Sequence, residues 1–471
     1  MKYQDQVDII TNIENNFPVN NLVYKNIRIW PIIRLAIWQS IFDGPSEPKQ
    51  STPKKSISKR LIRFLSKVFF LKNNIYRKTE TVFLIAPSER KVLVEDKYYS
   101  PFSNSLNDIL KEARIPSSVL DLGKRRLPVY GDTYFIDQET IDHPVLSKIF
   151  KHLKKYFIAT KNNISEWDKL TSYMETHHPK HTPNKTAIIK YCENVIRYEN
   201  IFTRILKKIE PKVAFLVCYY HPAAMGYIKA CYKLGIKSVD IQHGDHYGMY
   251  RNWTKLPKEG YQLLPSSWWC WGKGSADEIN NWSIPAHPNH KAFVGGNPWI
   301  SRFINNSVKN TETNKSKINV LVALTNVAYP VENIVLAIKN SPNNINWILR
   351  PHPAMPNEID KFKQVAERFT MDKSTLVFES FRNVDFIITP CSTVAYEALL
   401  FKVHPTITHA DGKEKFHNYI DKGLFSYAET DDKILEVLQK NKSNFNFKED
   451  VPYMETNMAK IKENLLNLIR S

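Results

Sequence analysis

Residues 213–244, VAFLVCYYHPAAMGYIKACYKLGIKSVDIQHG, decide the fold class. Val213-Ala214-Phe215-Leu216-Val217 is a short apolar run of the kind that forms a strand buried on both faces. Cys218-Tyr219-Tyr220-His221-Pro222 leads into a helix through Leu234, and Gly235 is its C-terminal stop. Ser238-Val239-Asp240-Ile241 is the next strand. Strand, helix and strand in this order make the two strands parallel neighbours joined by a right-handed crossover, so the chain reads as α/β.

In open parallel sheets, ligands bind beyond the carboxyl ends of the strands. Asp240 lies at that end, and Gln242-His243-Gly244 form the exit loop. The carboxylate suits a nucleophile or base, and the imidazole suits proton transfer or a phosphate. Gly244 permits a positive φ or a close backbone approach. The plain alternative is that Asp240 caps a turn and His243 is a satisfied core histidine. Asp245 and His246, further into the loop, carry a weaker signal.

Outward from this unit, helix 184–208 precedes the first strand, and Thr81–Ala86 is another buried strand followed by the polar turn Pro87-Ser88-Glu89-Arg90. Asp108 to Tyr173 reads as helices and short loops. Downstream, Trp268–Gly272 and Ala292–Val294 are strands, with a helix from Ser275 between them. Trp30-Pro31 and Trp268-Trp269 read as core packing. Residues 307–317 are polar and make a plausible linker. A second α/β unit then follows, with strands expected at Ile318–Leu324, Ile345–Leu349, Leu376–Phe378, Phe386–Thr389 and Thr406–Thr408. Residues 452–471 form an amphipathic helix.

The second unit has its own polar strand ends. Arg350-Pro351-His352-Pro353 closes one strand, and its prolines fix the backbone around an Arg and a His suited to a phosphate or nucleotide. His-Pro alone is weak, since it recurs at 178–179, 221–222, 287–288 and 404–405. Pro390-Cys391-Ser392-Thr393 turns from a strand into a helix, where hydroxyls and free amides can hold an anion or act as an ordinary N-cap. Glu397 lies one turn beyond Thr393 and could accept hydrogen bonds from ribose hydroxyls. Asn326, in Leu324-Thr325-Asn326-Val327, is a further candidate donor contact.

Composition sets the outer bounds. A chain of 471 residues with 42% hydrophobic and 12% aromatic content is long enough for two or three domains and is not globally disordered. The formal charge of +19 implies a polyanionic neighbour: nucleic acid, an anionic membrane or a phosphorylated substrate. Five widely spaced cysteines without a C-x-x-C pair imply neither a disulfide framework nor a zinc site, and a reducing, cytoplasmic setting is expected. The polar N-terminus lacks the features of a signal peptide, and no apolar run reaches transmembrane length. Residues 1–43 read as largely helical and 44–53 as a linker. Residues 54–78 carry nine Lys or Arg and no acid, interleaved with Leu61, Phe64, Leu65, Val68 and Phe69. Such a helix suits an anionic membrane surface, or is a core helix with a solvated basic face.

The order strand–Gln-His-Gly, then Arg-Pro-His-Pro, then Ser-Thr at a helix start resembles GT-B glycosyltransferases of bacterial capsule and O-antigen assembly. Val239–Gly244, Gly260-Tyr261-Gln262-Leu263-Leu264-Pro265 and Trp269-Cys270-Trp271-Gly272 look most like retaining β-Kdo transferases, and the likeness spans about 200–410. Its His-Pro and Ser/Thr motifs are similar to those of other users of CMP-activated acid sugars.

The resemblance implies two Rossmann-like domains with parallel sheets facing a central cleft. Residues 1–80 would be a helical region with the basic segment, and 81–306 the acceptor domain. Residues 317–450 would be the nucleotide-sugar domain, and 451–471 a helix packing back on the acceptor domain. It implies Asp240 and His243 as catalytic groups, with Asp240 the nucleophile of a glycosyl–enzyme intermediate. Gln242, Gly244, Asn326, Arg350, His352, Pro353, Ser392, Thr393 and Glu397 would bind the donor, His352 at the CMP moiety and Ser392 and Thr393 at its phosphate. No cofactor or metal is expected, since no Asp-x-Asp appears where a metal-dependent transferase would use one.

The expected reaction moves Kdo or a related 2-keto acid sugar from a CMP donor to a surface polysaccharide or lipid-linked acceptor. The expected place is the inner face of the cell membrane, with no nucleic-acid partner. Rivals are a CDP-polyol phosphotransferase of teichoic-acid type and a non-catalytic polyanion-binding protein. A UDP-sugar epimerase is disfavoured because its serine- and glycine-rich phosphate loop is not evident.

Overall fold

Apolar runs too short for helices, many of them followed by a helix, build two parallel sheets, one in each half of the chain. The computed structural model describes residues 3–43, 76–87, 89, 91–123, 130–131, 133–136, 163–244, 253, 256–304, 317–325, 328–353, 355–440 and 454–470. It divides into two units, residues 3–298 with 457–471 and residues 299–456. The expected linkers and the basic segment 54–78 lie outside the described residues, apart from residues 76–78 and Lys317. Among the described residues, no helix is long and apolar enough to cross a membrane.

In the first unit, helices α1 (Tyr3–Asn16) and α2 (Trp30–Asp43) are tied by a buried pair, Arg34 Nε donating to Glu14 Oε1 at 3.0 Å. Trp30 Nε1 donates to the same oxygen at 2.9 Å, which gives the buried carboxylate a second partner. The sheet comprises β1 (Thr81–Ile85), β2 (Ser117–Asp121), β3 (Thr133–Phe135), β4 (Val213–Leu216), β5 (Lys237–Ile241), β6 (Ser267–Cys270) and β7 (Lys291–Val294). All neighbours are parallel, in the order β3-β2-β1-β4-β5-β6-β7. Strands β2 and β3 occupy a stretch read from sequence as helices and loops. Their apolar runs are short and interrupted, and pairing beside β1 is what makes them strands.

Alternation along each strand sends side chains to two faces. Val82, Leu84, Ala214, Leu216 and Trp268 pack with α4 (Lys185–Ile209) and α5 (Pro222–Leu234). Phe83, Ile85, Phe215, Val239, Ile241 and Trp269 pack on the other face with α3 (Ser103–Glu112) and with Ile461, Leu465 and Ile469 of the terminal helix Met458–Arg470. Burying each of those three side chains contributes roughly 1.5–3 kcal/mol. A sheet covered on both sides has polar groups accessible chiefly at its ends, and there the chemistry collects.

The second unit repeats the plan with β8 (Ile318–Ala323), β9 (Ile345–Arg350), β10 (Phe369–Met371), β11 (Phe386–Thr389), β12 (His404–Ile407) and β13 (Ser426–Tyr427). The order is β10-β9-β8-β11-β12-β13, again parallel. The expected strand at Leu376–Phe378 is instead the start of a short helix, Val377–Phe381. Glu379 accepts the Leu376 N–H at 3.1 Å, a capping contact that favours the helix, and the strand role passes to Phe369–Met371.

Candidate functional site

Both sheets have the same topology: the chain builds outward from one strand, then crosses to that strand's other side. Loops diverge where the direction reverses, leaving a crevice at the carboxyl ends. In the first unit this switch lies between β1 and β4, and in the second between β8 and β11.

In the first unit, Asp240 stands in register with Leu216 on one side and Trp268 on the other, 1% exposed. Burial pushes its carboxyl well above the usual range. The nearby imidazole of His243 and the N–H groups of Tyr219 and Cys218 oppose that rise, and the Cys218 thiol adds to it. Cys218 has φ +63°, a left-handed turn rare for a side-chain-bearing residue, immediately beyond β4. The carboxyl is almost wholly enclosed and is approached by the backbone N–H groups of Tyr219 and Cys218. It supports the turn that carries Cys218.

His243 is half-buried and held from several sides. Its Nδ1 lies 3.3 Å from the Ile241 carbonyl, which only accepts, so Nδ1 carries the proton. Nε2 then accepts from the Tyr220 hydroxyl at 3.1 Å, with the Cys218 sulfur at 3.0 Å. Burial pushes the Cys218 thiol up to about 11, opposed by the Tyr220 hydroxyl and assisted by Glu89. Phe102 meets the imidazole edge-on, ring centres 6.4 Å apart.

One expected donor contact, Gln242, has another occupation. Gln242 is fully buried: its Nε2 donates to the Gly244 carbonyl at 2.9 Å and to Ser275 Oγ at 3.2 Å, and its Oε1 accepts from the Trp271 N–H at 2.7 Å. It staples the loop rather than facing a ligand. Gly244 does not have a positive φ, and among the described residues no atom lies within 4 Å of where a Cβ would stand. Asp245 and His246 lie outside the described residues.

Sequence reasoning passed over Glu89, Lys91, Asp121, Cys218 and Tyr220. Glu89 follows β1, is 7% exposed, and accepts from Ser103 Oγ at 2.9 Å and from Ser100 Oγ. Lys91 Nζ pairs with Asp121 Oδ2, at the end of β2, at 2.5 Å. A small recess of about 20 Å³ opens beside that pair, lined also by Tyr98, Asn104 and Tyr130. A larger recess, about 330 Å³, is lined by Lys237, Ser267 and Lys291 at the opposite, amino ends of their strands. The missed signal was an acid just after the first strand of a sheet whose order was not yet known.

In the second unit the strand order sets the loops after β9, β8, β11 and β12 side by side. Arg350 is engaged internally: Nη1 donates to Asp372 Oδ2 at 2.5 Å and to the Ser374 carbonyl at 2.9 Å, and Nη2 to the Thr375 carbonyl at 3.1 Å. Burial works against the Asp372 charge, yet the Ser380 hydroxyl, the Ser374 N–H and Arg350 together hold its carboxyl below the usual range. Arg350 therefore organises its own loop, a correction to its expected phosphate role.

His352 is half-buried and Pro353 exposed, and the His352 carbonyl accepts from the Met355 N–H at 2.9 Å. Across the switch, Ser392 Oγ accepts from the Val394 N–H at 3.3 Å at the start of helix Val394–Leu400. Ser392, Thr393 and Glu397 are each half-buried. Asn326 lies outside the described residues, next to buried Thr325.

Tyr329, unnoticed in the sequence, links these loops. Burial raises its hydroxyl's pKa, as do its hydrogen bonds with Cys391 and Asp411, and its ring lies 4.5 Å from His409. Gly412 is required there: a Cβ would stand 2.4 Å from the Pro390 carbonyl. His404-Pro405 lies inside β12 with His404 buried against Ser426, and His221 caps helix α5, so those His-Pro pairs have structural employment.

Two Rossmann-like units in succession, each with polar strand ends, define a GT-B fold. Two solved structures with TM-scores of 0.50 and 0.52 agree with this fold. A putative UDP-N-acetylglucosamine 2-epimerase from Listeria monocytogenes matches with a TM-score of 0.52 at 13% identity, over 83% of this chain and 96% of that one. Another UDP-N-acetylglucosamine 2-epimerase matches at 0.50 and 13%, over 84% and 95%. The wall teichoic acid polymerase TagF matches at 0.46 and 11%, over 88% and 96%. No family model and no curated protein matches the chain.

Proposed function

We propose that this chain is a glycosyltransferase that takes an acid sugar, Kdo or a relative, from a CMP-activated donor and adds it to a surface polysaccharide or lipid-linked acceptor. The observation that supports this reading most is the second unit's switch point. There a histidine held between two prolines and the Ser392-Thr393 hydroxyls leave strands on either side of β8. His352 is suited to the nucleotide, and the hydroxyls and turn amides to its phosphate, whose developing negative charge they would stabilise. In the first unit, His243 is oriented by two side chains and the Ile241 carbonyl, as a proton-transfer group needs to be.

The transfer is proposed to run by direct displacement at the anomeric carbon, without a glycosyl intermediate on Asp240. The basic stretch 54–78 would hold the enzyme at the anionic inner face of the membrane bearing its acceptor.

The test is a donor panel with the full-length protein: CMP-Kdo, CMP-sialic acid, CDP-glycerol and UDP-N-acetylglucosamine. Acceptor-dependent release of CMP from an acid-sugar donor is expected. Consumption of CDP-glycerol alone would move the chain to the polyol-phosphate class. Conversion of UDP-N-acetylglucosamine to its 2-epimer without an acceptor would sink the transfer reading.

A further inference from the structure

Strand order singles out Glu89 more than any other acid of the first unit. The crevice lies between β1 and β4, and Glu89 and Cys218 are on the two loops that leave those strands. Serines at the start of α3 hold one carboxyl oxygen of Glu89, Oε1. Its other oxygen, Oε2, is buried and has no hydrogen-bond partner among the described residues. An idle acceptor on a buried carboxyl is costly unless something donates to it. The same serine segment carries Phe102, whose ring lies against His243, so the carboxyl and the imidazole flank one short segment.

Among the described residues, the charged and titratable groups that act on Glu89 include Lys91 before the Val92–Val94 strand, Asp121 at the end of β2, and Cys218 beyond β4. Lys91 is already paired with Asp121.

Resting on the transferase reading, we infer that Glu89 is the general base of the first unit, its Oε2 taking the proton from the acceptor hydroxyl. As that O–H bond breaks, the acceptor oxygen bonds to the anomeric carbon. The bond from that carbon to the donor phosphate breaks, and its electron pair leaves on the phosphate oxygen of CMP. Glu89 then gives its proton to solvent. Burial pushes the carboxyl up to about 7, against the lowering effects of Ser100, Ser103 and Lys91, so the base would be half-ionised near neutral pH.

The full-length enzyme, assayed for transfer from its best donor between pH 5 and 9, gives the test. Wild-type kcat should fall as pH drops through about 7. Glu89→Gln should lower kcat about 100-fold or more while moving the donor KM less than about threefold, and should lose that acid limb. Ser103→Ala removes a partner of the ionised carboxylate, so its acid limb should shift to higher pH, a readout that survives if Glu89→Gln folds poorly. Glu89→Gln activity within threefold of wild type, or an unmoved limb in Ser103→Ala, would overturn the assignment and leave the transferase reading standing. A wild-type enzyme inactive with every donor would remove both.

Discussion

The two units share one strand order and fill its crevice differently. In the first unit the switch point holds titratable groups: Glu89, the Cys218 thiol, Tyr220 and His243, all buried or half-buried. In the second it holds hydroxyls and a proline-fixed histidine, while the cation Arg350 is locked to Asp372. Burial of ionisable groups shifts their pKa values, which serves chemistry, whereas hydroxyls and amides bind an anion without titrating. On the proposed reading, the same topology would support a reactive end in one unit and a holding end in the other.

That division can be broken by substitution. His243→Ala should cost the most, lowering kcat by about 100-fold to 10,000-fold with little change in donor KM, measured by steady-state kinetics. A rise in KM with kcat intact would erase the distinction between the units. Arg350→Met leaves the carboxylate of Asp372 buried without its cation, and should lower stability by roughly 3 kcal/mol in urea denaturation. A variant as stable as wild type would mean that Arg350 is free to serve a ligand after all. The double change Ser392→Ala and Thr393→Val should raise donor KM about tenfold, with kcat nearly constant.

The smallest effect tests the raised pKa of Asp240. Its folded pKa lies above the ordinary 3.8. Its contribution to stability is therefore complete below that value and is lost as pH rises through the higher folded one. Asp240→Asn lacks this dependence and should gain on wild type in thermal melts between pH 4 and pH 8. A variant that instead loses ground as pH rises would show that the carboxylate is ionised and needed as a charge.

Much of the framework was legible because short apolar runs and their stops are local signals. The strands at 81, 213, 318, 345 and 386, the helix ending at Gly235 and the polar strand ends were all readable in this way. Ser117–Asp121 was not, since only a neighbour at β1 makes it a strand. Arg350 and Gln242 had the right chemistry at the right end of a strand. Their partners Asp372 and Trp271 lie 22 and 29 residues away, beyond the reach of local reasoning. Glu89 was visible as a polar turn residue, but its burial comes from Ser100 and Ser103 folding over it.

By itself the sequence determined two successive α/β units and the places where each strand surrenders to a polar loop, because periodicity and chain stops act over a few residues. Only the tertiary structure decided which strands are neighbours, and with that where each crevice opens. It also decided which polar groups are consumed by partners and which remain available, because desolvation and hydrogen bonding depend on residues that the fold, and not the chain, brings together.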